Sequence, residues 1–337
     1  MKKFLSTLLI ILLLVGAFYY LILWAPNNFN RDKFVMVSKG ETFSQVADKL
    51  DKEGILRSKF LFKLAGRIHG STKRIQIGKY RFRSGMSNLD ILRDLSTGST
   101  IEAIIVTIPE GWTSRRIAGL LAHNLSVDSV QLMMLVKNEV FLHDSGIKDS
   151  DGEGYLFPKT YKLYWQDTEV SILRQILSEF HKEFDSSMAA RAHEIGFSVH
   201  NVLTLASIVE GETRIDSERA MIAGVYINRL NKNMLLQADP TIQFIIPHGP
   251  RLLKYSDLER DSPYNTYRYK GLPPGPVNNP GLASIKAVLY PRSHKYLFFV
   301  ANGLGGHTFT KTYKAHLKAV KEYEKVREEK LAQNKNG

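Results

Sequence analysis

The chain has 337 residues, 44% of them hydrophobic, enough for two or three domains with packed cores. It contains no cysteine, which excludes disulfides, thiolate nucleophiles and Cys-ligated zinc. Its formal charge of +13, from 46 Lys+Arg against 33 Asp+Glu, points to nucleic acid, anionic lipid or an acidic wall polymer as partner; a generally basic soluble surface is the alternative.

Residues 4–24, FLSTLLIILLLVGAFYYLILW, carry no charge. As a helix they span roughly 31 Å, the thickness of a bilayer's hydrocarbon core. Tyr19, Tyr20 and Trp24 stand toward the far end, as interfacial aromatics do. A cleaved signal would have a shorter apolar region ending in small residues, and Trp24-Ala25-Pro26 is a poor cleavage site, so an uncleaved anchor is the favoured reading. The short basic head, residues 1–3, puts the N-terminus in the cytoplasm and the rest of the chain outside. That placement argues against nucleic acid and for cell wall or lipid.

Residues 25–34 read as a polar tether. The segment 35–50, VMVSKGETFSQVADKL, starts as a strand, turns at Lys39-Gly40 and continues as a helix capped by Thr42, with Val46, Ala47 and Leu50 as its apolar stripe. The pattern recurs at 106–121, VTIPEGWTSRRIAGLL, where Gly111, Thr113, Ile117, Ala118 and Leu121 take the same places. Strands are expected over 75–82 and 101–108, so this half is a small α+β assembly. Residues 152–163 form a Gly/Pro/Tyr-rich connector, and helical patterns cover 170–194, 198–211 and 216–230, the last capped by Asp216 or Ser217. Residues 264–281 form a long shaped loop, 295–310 a hairpin with a glycine-rich turn, and the tail from Thr312 a charged helix ending in a flexible segment.

The chemistry centres on LASIVEGET, 205–213. Val202, Leu203, Leu205, Ala206, Ile208 and Val209 make the helix apolar nearly all round, so it should be buried. Gly211 is placed to end it as the C′ residue. Glu210 would then lie at the negative end of the helix, buried and close to Glu212, and all three effects raise its pKa. A carboxylic acid held protonated near neutrality suits general-acid catalysis. The residues equally allow a frayed helix end with Glu210 in water and Glu212 paired to Arg214 or Arg219.

No G-x-S-x-G, Walker loop or H-E-x-x-H is present, and no metal site or cofactor is expected. His248, His294, His307 and His316 lack ligand spacing and read as surface or packing residues. Gln237, Asp239 and Thr241 offer polar groups at an Asp-Pro turn, although Asp239 as a simple cap explains the pattern as well. Tyr264, Asn265, Thr266 and Tyr267, on a proline-stiffened loop, suit a polysaccharide, with an ordinary packed loop as the alternative. Glu153 is the runner-up carboxylate.

The ordered motifs ASIVEGET, INRL with QADPT, SPYNTYRYKGLPPGPVNNPG and GGHTFT, with IPEGWT and EGYLFPKTY before them and one apolar helix in front, resemble the endolytic murein transglycosylases, the YceG-like proteins. The resemblance runs from about residue 35 to about 321. It implies a LysM-like α+β module over 35–98 and a larger α+β catalytic domain over 99–325, its catalytic helices and loops at 198–310, with 326–337 as the flexible tail. It implies that Glu210 is catalytic. The family often has lysine between the two glutamates; here Gly211 stands in its place.

The implied reaction is non-hydrolytic cleavage of the MurNAc–GlcNAc β-1,4 bond of peptidoglycan, leaving 1,6-anhydro-MurNAc ends. One carboxylate suffices if it protonates the glycosidic oxygen and then takes the proton of the sugar's own 6-hydroxyl; ordinary glycosidases need a second for water or a covalent adduct. The implied partners are glycan strands, membrane lipid around residues 4–24 and peptidoglycan synthases, with the catalytic part on the extracytoplasmic side of the cytoplasmic membrane, limiting nascent strand length. A lysozyme-like hydrolase using Glu210 with Asp239 or Glu212, and a non-catalytic wall-binding scaffold for synthases, are the competing readings.

Overall fold

The computed structural model describes residues 2–247 and 249–335, which leaves His248 and the ends of the expected cytoplasmic stub and tail outside the described residues. The chain is a mixed α+β protein in two compact units. The first comprises residues 1–106 with the short segments 121–127 and 162–168; the second comprises 107–120, 128–161 and 169–337.

The first unit opens with α1 (Lys2–Leu23), long and apolar enough to cross a membrane at a mean hydropathy of 2.5 over Lys3–Leu23. Strand β1 (Lys33–Val37), helices α2 (Phe43–Lys52) and α3 (Lys59–His69), strand β2 (Gly78–Phe82) and α4 (Asn88–Thr97) follow. β1 and β2 pair antiparallel with Val35 opposite Tyr80. Thr42 caps α2 through a capping box with Gln45, and Val46, Ala47 and Leu50 are buried, as the periodicity requires. Phe43 stacks on Phe62 at 5.4 Å and Tyr80 on Phe82 at 5.8 Å within this core.

Residues 25–34 are not a free tether. Asn27 is 2% exposed, and its amide donates to the Met86 carbonyl at 3.0 Å and to Asn88 Oδ1 at 3.1 Å, while its Oδ1 accepts from the Arg57 N–H at 2.8 Å. Asn88 also donates to the Ile22 carbonyl at 2.8 Å, and Ile22 and Leu23 are part of the core. A polar segment that leaves an apolar helix must satisfy its backbone and amides once it is covered, and here it does so against α4. The last turn of α1 is therefore an integral part of the unit.

Strand β3 (Ile104–Thr107) pairs with β4 (Thr160–Leu163). The repeated strand–turn–helix pattern is real in three dimensions: Gly40 and Gly111 both take left-handed φ angles, 83° and 71°, and Ile117, Ala118 and Leu121 of α5 (Ser114–Leu125) are buried.

The second unit continues with α6 (Ser129–Val136), α7 (Glu139–Asp144), α8 (Glu169–Glu183), α9 (Ser186–Glu194), α10 (Val199–Glu212), α11 (Asp216–Asn231), α12 (Asp239–Ile245), α13 (Tyr255–Leu258) and α14 (Leu282–Leu289). It closes with β5 (Phe298–Ala301), β6 (His307–Thr310) and α15 (Tyr313–Lys335). β5 and β6 form the expected hairpin. α15 remains helical to Lys335, so the charged end expected to be flexible from 326 continues the helix among the described residues.

Helix α10 is the axis of this unit. Residues 202–209 are all buried, packed by α9, α11, α12 and α14. Each large aliphatic side chain so buried contributes roughly 1.5–3 kcal/mol. The helix does not end at Gly211. It runs through that residue to Glu212, because the glycine serves packing: a Cβ there would lie 2.5 Å from Pro240 Cγ at the start of α12. Likewise α11 begins at Asp216 with Ile215, not Asp216 or Ser217, in the cap position.

Replacing Asn27 by alanine leaves buried partners unsatisfied and is expected to cost about 1–3 kcal/mol. Urea denaturation of the detergent-solubilised chain measures it; an unchanged midpoint would mean that the segment is not held as described.

Candidate active site

A cavity of about 1190 Å³ opens in the second unit, with Glu110, Trp112, Arg116, Glu153, Glu210, Glu212, Asp239 and Asn278 among its lining residues. Glu210 reaches it from the last turn of α10, its side chain 7% exposed. The carboxylate is not wrapped in apolar groups as the sequence implied. Oε2 accepts from Ser284 Oγ at 2.8 Å and from the Gly281 N–H at 3.1 Å, and lies 3.1 Å from the Arg219 guanidinium. A frayed end in water is equally not what is found.

Arg219 is 5% exposed and sits one turn into α11. Its Nε donates to Asp216 Oδ1 at 3.0 Å, its NH1 to Ser284 Oγ at 2.5 Å, and its NH2 lies 3.9 Å from Glu110 Oε2. A buried guanidinium demands carboxylates, and its fixed fork sets their positions. Arg219 thus pairs with Glu210, and not with Glu212 as the open alternative had it.

Glu212 makes a separate arrangement. The Tyr226 hydroxyl donates to its Oε1 at 2.6 Å. Removal from water pushes its carboxyl up to about 7, the charge of Asp239 adding to the rise while the Tyr226 bond and Arg229 oppose it. Asp239, the first residue of α12, accepts from the Tyr267 hydroxyl at 2.5 Å. Tyr267 thus meets the cavity lining through Asp239.

The wall behind these groups is tied by Asn279. Its Oδ1 accepts from the Gly154 and Leu156 N–H groups at 2.9 and 2.8 Å. Its Nδ2 donates to the Trp112 carbonyl and to Glu153 Oε1, both at 2.9 Å. One amide thereby fastens the IPEGWT, EGYLF and NNPG segments together. Glu153 is also buried and accepts from the Ser114 N–H at the start of α5 at 3.0 Å. Burial raises its carboxyl to about 7 against the pull of the Ser114 bonds. Ser207 of α10 holds the same loop, accepting from the Val277 N–H at 2.9 Å while its carbonyl accepts from Asn278 Nδ2 at 2.8 Å.

Of the residues expected from sequence, Glu210, Glu212, Asp239 and Glu153 line the cavity. The others build its frame. Thr241 and Thr266 are buried and bonded to each other at 2.9 Å, and Thr266 Oγ accepts from the Ala238 N–H. Asn265 is fully buried, donating to the Leu258 and Arg260 carbonyls. Gln237 takes a left-handed φ of 49° and donates its N–H to the Thr266 carbonyl, and Tyr264 packs on Phe244 at 5.0 Å. The Asn265 amide and the Thr266 hydroxyl are turned inward and satisfied by the protein itself. His294 and His307 are held by the Met221 carbonyl and Glu218, and His316 stacks on Phe298, so these three act in packing.

Sequence reading passed over Glu110, Arg219, Ser284 and Asn279 as site residues. Three lie in quoted motifs or beside them, but only the fold converges them.

A carboxylate anchored by a buried arginine on the wall of a cavity that further carboxylates line is a site suited to acid chemistry on a polar ligand. The sequence profile described as the YceG-like family matches residues 35–322, and the chain belongs to that family. It is 33% identical, over 88% of its length and 86% of the relative's, to a protein of Bacillus subtilis named endolytic murein transglycosylase. A Streptococcus pneumoniae protein of the same name is 29% identical over 91% of this chain, which spans 62% of that relative. A crystal structure of a yceG-like protein from Listeria monocytogenes superimposes with a TM-score of 0.60 at 29% identity, covering 86% of this chain and 98% of that one.

Glu153 and Glu212 keep their protons in the fold up to about 7, whereas an unfolded glutamate loses its own near 4.5. Between these values the folded chain binds more protons, so stability falls as pH rises from about 4.5 to about 7. Urea midpoints across that range should decline, and Glu212→Gln, which still accepts from Tyr226, should flatten the decline. An identical decline in the variant would contradict the assignment for Glu212.

Proposed function

We propose that the chain is a lytic transglycosylase that cleaves the MurNAc–GlcNAc β-1,4 bond within peptidoglycan strands and leaves 1,6-anhydro-MurNAc ends. The observation that carries this reading is Glu210, sequestered at the end of α10, facing the cavity and fixed by Arg219, Ser284 and Gly281. Its relatives' shared name supplies the substrate class. With Oε2 engaged by three donors, Oε1 is the oxygen that carries the proton to the glycosidic oxygen. The muramyl 6-hydroxyl then attacks C1, and its proton returns to a carboxylate of the site. The nucleophile belongs to the substrate, so no water is consumed; the acetamido group can stabilise the developing cation. Trp112, stacked on Arg116 at 4.1 Å in the cavity wall, offers a ring face for a sugar.

Helix α1 is proposed as an uncleaved anchor in the cytoplasmic membrane, with the chain that follows it on the extracytoplasmic side. The burial of Ile22 and Leu23 in the first unit supports this, since cleavage after the apolar run would remove core residues. The strand–helix–helix–strand order of β1, α2, α3 and β2 supports the LysM-like reading of that unit. Held there, the enzyme would act on new strands beside their synthases and limit strand length.

Glu210→Gln should lower strand cleavage by about 10²–10⁴-fold, the range for a lost general acid. Mass spectrometry of digested sacculi reads both rate and product. Reducing ends from the parent enzyme would indicate a hydrolase, and cleavage unchanged by the substitution would leave the scaffold reading.

A further inference from the structure

Glu110, on the IPEGWT turn before α5, lines the same cavity as Glu210. Its side chain is 49% exposed, and among the described residues its carboxylate makes no hydrogen bond; its one ion pair is the 3.9 Å approach to Arg219. It packs directly on Gly281, where any Cβ would collide with its carboxylate. Gly281 is also the residue whose N–H donates to Glu210 Oε2. The two carboxylates therefore share a guanidinium and a glycine, and no side chain at position 281 separates them.

We propose that Glu110 is a second catalytic carboxylate, which takes the proton of the muramyl 6-hydroxyl after Glu210 has given its own to the glycosidic oxygen; this rests on the transglycosylase reading. In the step, the C1–O4 bond breaks with its electron pair remaining on O4, which gains the Glu210 proton. A lone pair of O6 forms the C1–O6 bond, and the O6 proton passes to a Glu110 oxygen. The proton then returns from Glu110 to Glu210 through solvent in the open cavity, so each cycle balances without net water. Glu210 has Oε1 alone uncommitted, whereas among the described residues neither oxygen of Glu110 accepts a hydrogen bond and Oε2 has only the 3.9 Å approach of Arg219.

The protonation of Glu110 is coupled to that of Glu210 across Arg219. Burial and the charge of Glu210 push the Glu110 carboxyl up, Asp216 adds to the rise, and Arg219 opposes it. One carboxyl holds a proton most easily when the other is ionised, as in other close carboxylate pairs. Passing one proton from Glu210 to Glu110 keeps the charge around Arg219 constant through the reaction.

The test compares parent, Glu110→Gln and Glu110→Asp on intact sacculi, reading rate, pH profile and chain ends. Glu110→Gln should slow cleavage about 10²-fold or more, lose the acid limb of the profile and raise the share of reducing ends, because water captures a cation whose internal nucleophile is no longer deprotonated. Glu110→Asp should retain an intermediate rate and the acid limb. A purely structural role would lower the melting temperature without changing the ratio of ends. The proposal is overturned if Glu110→Gln stays within about threefold of the parent, with anhydro ends only and both limbs intact. If the Gln variant melts early, the Asp variant decides: a reduced rate with the acid limb kept supports the proposal, and a rate within about threefold of the parent overturns it. Failure of the underlying reading looks different: the parent itself would then give no anhydro ends.

Discussion

The site depends on one buried cation. Arg219 has lost its water, and only carboxylates and hydroxyls at hydrogen-bond distance make that tolerable. Glu210 and Ser284 are drawn to it from α10 and α14, and Asp216 from its own helix. Removing one partner of such a buried pair costs on the order of 3–5 kcal/mol, because the other is left charged and uncompensated. The arginine therefore both locks three helices in register and fixes which oxygen of Glu210 is free.

A second constraint is the close approach of α12 to α10. Pro240 occupies the space that a side chain at Gly211 would need, and this brings Asp239 beside Glu212. Asn279 performs a matching task, gathering three loops through one amide. The cavity is thus framed by polar knots held within the protein; among the described lining residues Asn278 Oδ1 is buried without a partner.

Much of this was legible in the sequence. The capped helix after Gly40, its second copy after Gly111 and the apolar helix ending in acid follow from periodicity and turn chemistry. What could not be read was convergence. Glu110 and Arg219 are more than a hundred residues apart in the chain and carry no local signal of each other. Gly211 was misread for the same reason: a glycine near a helix end usually marks the end, and only the position of Pro240 shows another use. The tyrosines and amides of 264–267 resemble ligand groups in sequence, but a long irregular loop must first satisfy its own backbone, and Asn265 and Thr266 are spent there.

The central claim is that the free oxygen of Glu210, presented by Arg219, meets the glycosidic oxygen of a glycan strand. A crystal structure of the Glu210→Gln variant with a bound peptidoglycan fragment tests it most directly. The account predicts a MurNAc–GlcNAc linkage in the cavity with its bridging oxygen within hydrogen-bond distance of the side chain at position 210. A fragment seated with that oxygen against Glu212 or Asp239, or outside the cavity altogether, would contradict it.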